Sequence, residues 1–115
     1  MQKDNEIRFE THGTVMLMDI SGDITAFSET FLNEAYQKAN DQGASKILLK
    51  VHEDAYINSG GIAVLIQILA QTKRNNQLIG ITGLSDHFKK IFNMVGITKF
   101  AKVHESVKSA LQAMA

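Results

Sequence analysis

The sequence alternates short apolar runs with stretches whose apolar residues recur at helical spacing, and this alternation constrains the fold more than any other feature. Five runs predict β-strands, at Glu6–Thr11, Thr14–Ile20, Ile47–Val51, Leu78–Ile81 and Phe100–Val103. Four stretches predict α-helices, at Ser28–Gln42, Gly60–Asn75, Ser85–Val95 and Glu105–Met114. The order ββαβαβαβα, with a hairpin turn at His12-Gly13, indicates an α/β fold. We expect a mixed, mostly parallel sheet of four to five strands, four covering helices and an antiparallel first strand at the edge.

The spacing of apolar residues also predicts which face of each helix is buried. For the first helix these residues are Phe27, Phe31, Leu32, Ala35, Tyr36 and Ala39, with Thr25 or Ser28 as the cap. For the second they are Ile62, Leu65, Ile66, Leu69 and Ala70. For the third and fourth they are Phe88, Ile91, Phe92 and Val95, then Val107, Ala110, Leu111 and Met114.

Composition narrows the functional classes. A chain of 115 residues without an internal boundary is expected to form one domain, residues 1–115. It contains no cysteine, and 12 basic residues balance 12 acidic ones, so neither a thiolate metal site nor a nucleic-acid surface is indicated. The polar N-terminus lacks the apolar core of a signal peptide, and no apolar run is long enough to span a bilayer. We therefore expect a cytoplasmic protein with no membrane span.

The segment with the most functional content surrounds Ser59. Asn58 and Ser59 stand at the predicted helix start and are followed by Gly60 and Gly61. Such a start exposes unpaired backbone N–H groups and accepts an anion, and glycines let another group approach closely. Local chemistry alone favours the simpler interpretation, in which Asn58 or Ser59 only caps the helix and the glycines only loosen a turn.

Two further features of this region have competing interpretations. Tyr56 and Ile57 are apolar residues in a predicted loop, so they could form a docking surface or tuck beneath the loop. A serine between a strand and a helix is also found in hydrolases, but Ile57 stands where their nucleophile motif has glycine. No spacing singles out a histidine partner among His12, His52, His87 and His104. We expect no catalytic residues, no cofactor, and no metal at His52-Glu53-Asp54.

Three stretches together resemble the STAS domain family, the fold of bacterial anti-sigma factor antagonists. Asn58-Ser59-Gly60-Gly61-Ile62-Ala63-Val64-Leu65 resembles the family signature Asp-Ser-Ser-Gly-Leu-Gly-Val-Leu. Gly22-Asp23-Ile24 is similar to the Gly-Glu-Leu that precedes the family's first helix. Ile91-Phe92-Asn93-Met94-Val95-Gly96-Ile97 resembles its Leu-x-x-x-Gly-Leu helix ending. The resemblance covers essentially the whole chain.

This resemblance implies a phosphorylation-controlled partner switch in signal transduction and transcription regulation. In the family, an anti-sigma factor that is itself a serine kinase phosphorylates the first signature serine, which corresponds to Ser59. The unmodified antagonist binds that kinase, and a PP2C-type phosphatase reverses the modification. We expect the partner-binding residues to be Tyr56, Ile57, Asn58, Ser59, Gly60 and Gly61.

Two departures from the family signature bear on its function. Asn58 replaces the usual aspartate, and Gly60 replaces the second serine. Two alternatives therefore stay open: an accessory subunit of a lipid or anion transporter, and a partner switch outside sigma-factor control.

Overall fold

The structure, a computed structural model, describes residues 4–115 and contains one five-stranded sheet in the order β1-β2-β3-β4-β5. The strands are β1 (Glu6–His12), β2 (Val15–Ser21), β3 (Lys46–Lys50), β4 (Leu78–Thr82) and β5 (Lys102–His104). The first pair is antiparallel and the other three are parallel. The helices are α1 (Glu29–Asp41), α2 (Ser59–Arg74), α3 (Asp86–Met94) and α4 (Val107–Met114). The predicted element order and sheet class are therefore confirmed.

The sheet is covered on both faces, as its strands require. Met18, Leu49 and Ile81 lie in a large core with residues of α1, α2 and α3. A second cluster on the other face joins Val15, Leu17 and Leu48 to Ala110 and Met114 of α4. Because β2 and β3 are apolar on both faces, the second face needs its own helix, and α4 supplies it.

Several sequence predictions about individual residues were wrong. The hairpin turn lies at Gly13-Thr14, one residue later than predicted, because His12 pairs with Val15. On α2, Ile66 is exposed and Ala70 is only half-buried, whereas Val64 and Ile68 are buried with Leu65 and Leu69. The helix is thus rotated relative to the stripe that spacing suggested, since it must present two adjacent rows of residues to the sheet.

Two corrections concern the chain after α3. Val95, assigned to the core, is 49% exposed because the helix ends at Met94 and Gly96 follows with a φ of 83°. The last strand begins at Lys102 rather than Phe100, because Ile97–Lys99 forms a 3₁₀ turn.

Candidate functional site

Ser59 is the first residue of α2, and its side chain is exposed at the edge of the sheet where the parallel strands end. Asn58 precedes it as the helix cap, and its Oδ1 accepts a hydrogen bond of 2.9 Å from the backbone N–H of Gly61. Asn58 is therefore the capping residue, and the Ser59 hydroxyl is not used for capping. An exposed hydroxyl at a helix start is accessible to a modifying enzyme.

The segment before Ser59 is held by backbone hydrogen bonds to the segment that follows β2. Ile24 and Ile57 form an isolated parallel bridge. The N–H of Ile24 donates to the carbonyl oxygen of Tyr56 at 2.9 Å, and the N–H of Asn58 donates to the carbonyl oxygen of Ile24 at 3.2 Å. These bonds fix the approach to α2, so Ser59 stands on an ordered support and not on a loose loop.

The two glycines after Ser59 permit a close approach between α2 and the same segment. A Cβ atom at Gly61 would lie 2.0 Å from the carbonyl oxygen of Ile24. A Cβ atom at Gly60 would lie 2.9 Å from the Cβ of Ala26. The group that approaches both glycines is therefore this chain's own segment at residues 24–26.

Asp23 and Thr25 organise the segment that the glycines contact. Asp23 is buried, and its Oδ1 accepts a hydrogen bond of 3.0 Å from the N–H of Tyr56. Thr25 and Ser28 form a reciprocal capping box around the 3₁₀ turn Ala26–Ser28, so Thr25 caps this turn and not α1. The Gly-Asp-Ile motif thus positions the Ser59 loop through a carboxylate 33 residues earlier in the chain.

The capping box also explains the largest error in the predicted core. Phe27 was assigned to the buried stripe of α1, but it lies in the 3₁₀ turn before α1 and is 91% exposed. It follows Ala26, which contacts Gly60, and it lines an open groove of about 550 Å³ with Asp4, Asn5 and Phe31. Phe27 is therefore an exposed aromatic residue near Ser59 that spacing alone misplaced.

The structure separates the two apolar loop residues whose role was open. Tyr56 is 60% exposed, whereas Ile57 is 4% exposed and belongs to the core. The Ile57 side chain is consequently not presented to a partner, and its place in the predicted contact surface is corrected. The exposed residues Phe27, Tyr56 and Ser59, together with Asn58 and Gly60, define what we call the Ser59 surface.

The charged side chains of the segments that build this surface are all acidic. The segments that build it, residues 22–37 and 51–72, contain no lysine or arginine but include Asp23, Glu29, Glu34, Glu53 and Asp54. The first cation of α2 is Lys73 in its last turn, about 21 Å along the helix axis from Ser59. A phosphate on Ser59 would therefore receive no counter-charge from these segments.

His52, on the same loop, has a partner that the sequence did not predict. Its Nε2 lies 2.8 Å from Oδ1 of Asp19, and Lys50 Nζ lies 3.9 Å from the second oxygen. Asp19 is the one charged residue in an otherwise apolar strand, and this is the sequence feature that indicates a polar partner for it. Across residues 4–115, no group of three potential metal ligands converges. None of the helices described is long and apolar enough to cross a membrane.

The fold and this site define a class of small α/β domains that present an exposed serine at a helix start facing the ends of parallel strands. The chain belongs to the STAS domain family, whose sequence pattern matches residues 6–110.

Individual proteins resemble this chain in sequence or in fold. An anti-sigma-B factor antagonist of Staphylococcus aureus is 20% identical over 89 residues, which cover 77% of this chain and 82% of that protein. An anti-sigma factor antagonist from Mycobacterium paratuberculosis has a solved structure with a TM-score of 0.81 at 15% identity, covering 96% of this chain and 94% of that one. The Bacillus cell fate determinant SpoIIAA, solved in its phosphorylated form, has a TM-score of 0.68 at 12% identity, covering 96% and 100%.

Proposed function

We propose that this STAS domain is an anti-sigma factor antagonist whose binding to its partner is switched by phosphorylation of Ser59. The observation that carries the proposal is the position of Ser59. It is exposed at the start of α2, and Asn58 rather than Ser59 caps the helix. The likeness to antagonists of known name supports the function, and the solved phosphorylated relative supports the mode of control.

The proposed partner is an anti-sigma factor with serine kinase activity, and a PP2C-type phosphatase would reset the switch. The protein's own role is that of substrate and ligand. Phe27 and Tyr56 flank Ser59 with exposed aromatic surface, which suits a protein contact because buried aromatic side chains contribute strongly to interfaces.

Phosphorylation is expected to leave the fold intact. It adds a charge of about −1.5 to −2 at neutral pH, and the positive end of α2 stabilises such a charge by roughly 0.3–1 kcal/mol. The modified serine is exposed, and its hydroxyl is not the helix cap, so no structural hydrogen bond of the cap is lost.

At a docked interface the same phosphate would be unfavourable. The segments around Ser59 supply no cation, so the charge must be desolvated without compensation from them. Removing one partner of a buried charge pair weakens binding by roughly 2–5 kcal/mol, and we take this range for the loss of binding free energy on phosphorylation. Phosphorylation should therefore weaken binding by at least about 30-fold while the melting temperature stays nearly constant.

The test begins with the serine kinase encoded nearest to this gene. Purified kinase and ATP should phosphorylate the native chain but not Ser59→Ala, as read by mass spectrometry of the intact protein and its peptides. Ser106→Ala is the matched control, since Ser106 is also exposed at a helix start but serves as the cap of α4. Titration calorimetry then compares the unmodified and phosphorylated chains.

Equal affinity of the two forms for the kinase would refute the switch. Stable binding of the unmodified chain to a membrane transporter subunit, without modification of Ser59, would assign it instead to the accessory-subunit class. A large loss of thermal stability on phosphorylation would show that the switch acts by local unfolding.

A further inference from the structure

The outer edge of β1 is long. β1 spans seven residues, stands first in the sheet order, and pairs only with β2 within the described part of the chain. Its pairing register is continuous and it contains no proline or bulge, two devices that prevent edge strands from pairing with other chains; its charged residues, Glu6, Arg8 and Glu10, alternate in sign. Ile7 and Phe9 on the helix-covered face are only half-buried. An open edge of this length can accept another strand.

The hairpin geometry determines which backbone groups point outward. His12 and Val15 close a two-residue turn, so they form the hydrogen-bonded pair next to it. Hydrogen-bonded and non-bonded pairs alternate along an antiparallel ladder. Glu6, Arg8, Glu10 and His12 therefore direct their N–H and C=O groups to β2. The corresponding groups of Ile7, Phe9 and Thr11 point to the open edge.

The sequence of this edge is complementary to itself. In an antiparallel pair of two β1 strands centred on Phe9, the residues opposite each other add to 18, so that outward-pointing residues face outward-pointing residues. Arg8 then lies opposite Glu10 of the second copy, and Glu6 lies opposite His12. On the other face Phe9 meets Phe9, and Ile7 meets Thr11. By symmetry each of these two polar pairs occurs twice, and all four join a carboxylate to an arginine or a histidine.

Neighbouring registers lack this property. Only shifts by two residues keep the outward-pointing groups opposed. A shift in one direction places Glu6 opposite Glu10 and Arg8 opposite Arg8. A shift in the other direction places Glu10 opposite Glu10. Like charges directly opposite each other destabilise a strand pair, so the register centred on Phe9 is selected.

We infer that the β1 edge binds a second copy of this chain, forming a two-fold symmetric dimer in which two five-stranded sheets become one continuous sheet. This pairing is isologous, closes after two chains and buries the open edge of each. β1 lies two strands away from β3, whose following loop leads to Ser59, and none of the residues that define the Ser59 surface belongs to β1. The inference is independent of the proposed function.

A charge-swap experiment tests the register. Sedimentation analysis of the full chain should give a mass of twice 12.7 kDa for the wild type. Arg8→Glu places Glu opposite Glu10, and Glu10→Arg places Arg opposite Arg8, so each variant alone should raise the dimer dissociation constant by roughly tenfold or more. A mixture of the two variants restores both opposite-charge pairs and should dimerise again.

A second variant removes the backbone contact without changing charge. Thr11→Pro deletes an N–H that points to the open edge, where proline is tolerated, so the fold should remain and the dimer should dissociate. This variant decides the question if Arg8→Glu fails to fold, since Arg8 lies opposite Asp19 within the sheet. Amide exchange gives an internal control. Phe9 should be protected only in the dimer, and Glu10 in both states.

A wild-type chain that stays monomeric up to millimolar concentration would overturn the inference. So would a mixture of the two charge variants that associates no better than either alone, or a Thr11→Pro chain that remains a dimer.

Discussion

The two adjacent glycines of the Ser59 loop should respond very differently to the same substitution. Gly61→Ala places a Cβ atom 2.0 Å from the carbonyl oxygen of Ile24, and this oxygen must move by about 1 Å to reach even 3.0 Å. Ile24 cannot move alone, because its backbone is hydrogen-bonded to Tyr56 and Asn58. Gly60→Ala meets the Cβ of Ala26 at 2.9 Å and its backbone nitrogen at 3.0 Å, a milder overlap that a shift of a few tenths of an ångström in the 3₁₀ turn relieves.

The magnitude follows from the bonds that the displacement breaks. Moving Ile24 disrupts its two backbone hydrogen bonds, and the accompanying displacement of Gly61 disrupts the cap from Asn58. Three hydrogen bonds at about 0.5–1.5 kcal/mol each, less up to about 1 kcal/mol gained from the helix propensity of alanine, give a net loss of roughly 0.5–4.5 kcal/mol. For Gly60→Ala the gain and the small strain nearly cancel, so we expect a change within about 1 kcal/mol.

Thermal unfolding followed by circular dichroism measures both values. Gly61→Ala should lower the melting temperature by roughly 4 °C for each kcal/mol lost, and Gly60→Ala should leave it nearly unchanged. Phosphorylation of Ser59 should fall with Gly61→Ala, because the cap that orders the helix start is disturbed. Equal melting temperatures for the two variants would refute the argument that the close approach to Ile24 fixes this loop.

Three further predictions test the fold, the signature and the last helix. In urea unfolding, Leu65→Ala should lower the free energy of unfolding by roughly 2–5 kcal/mol, whereas Ile66→Ala should change it little, because Leu65 is 1% exposed and Ile66 is 37% exposed. Equal losses for the two variants would contradict the orientation of α2. Asn58→Asp should preserve the helix cap and the fold and change the phosphorylation rate of Ser59 only modestly. A kinase that modifies the variant but never the native chain would place this protein outside the phosphorylated members of the family. Burial lowers the pKa of His104 below its usual 6.5, with a smaller contribution from Lys102. The contribution of neutral His104 to the free energy of unfolding should therefore be fully present above pH 6.5 and fall as the pH decreases towards the lowered pKa. In urea unfolding, His104→Gln should lack this pH dependence, and identical pH profiles for the variant and the native chain would contradict the prediction.

The order of elements and the position of the site followed from the sequence because both depend on local pattern. Helical and strand periodicities are properties of neighbouring residues, and the helix predicted at Gly60–Asn75 is observed at Ser59–Arg74. The combination of a polar cap, a serine and two glycines identified the start of α2 for the same reason. Apolar residues on both faces of β2 required cover on both sides of the sheet, although they did not say which helix would provide it.

The tertiary structure alone decided which of these residues reach the surface. Tyr56 and Ile57 are neighbours in the same loop, yet Ile57, whose backbone is bridged to Ile24 far away in the chain, lies in the core while Tyr56 is exposed. Phe27 fits a helical stripe by spacing, but the buried hydrogen bonds of Ser28 to the backbone at Asp23 and Thr25 hold it in a turn before the helix begins. Asp19 and His52 likewise meet only because β2 and β3 are adjacent in the sheet. Periodicity reports the secondary structure of a segment, whereas the exposure of one side chain depends on which distant segment packs against it, and that partner is chosen by the whole fold.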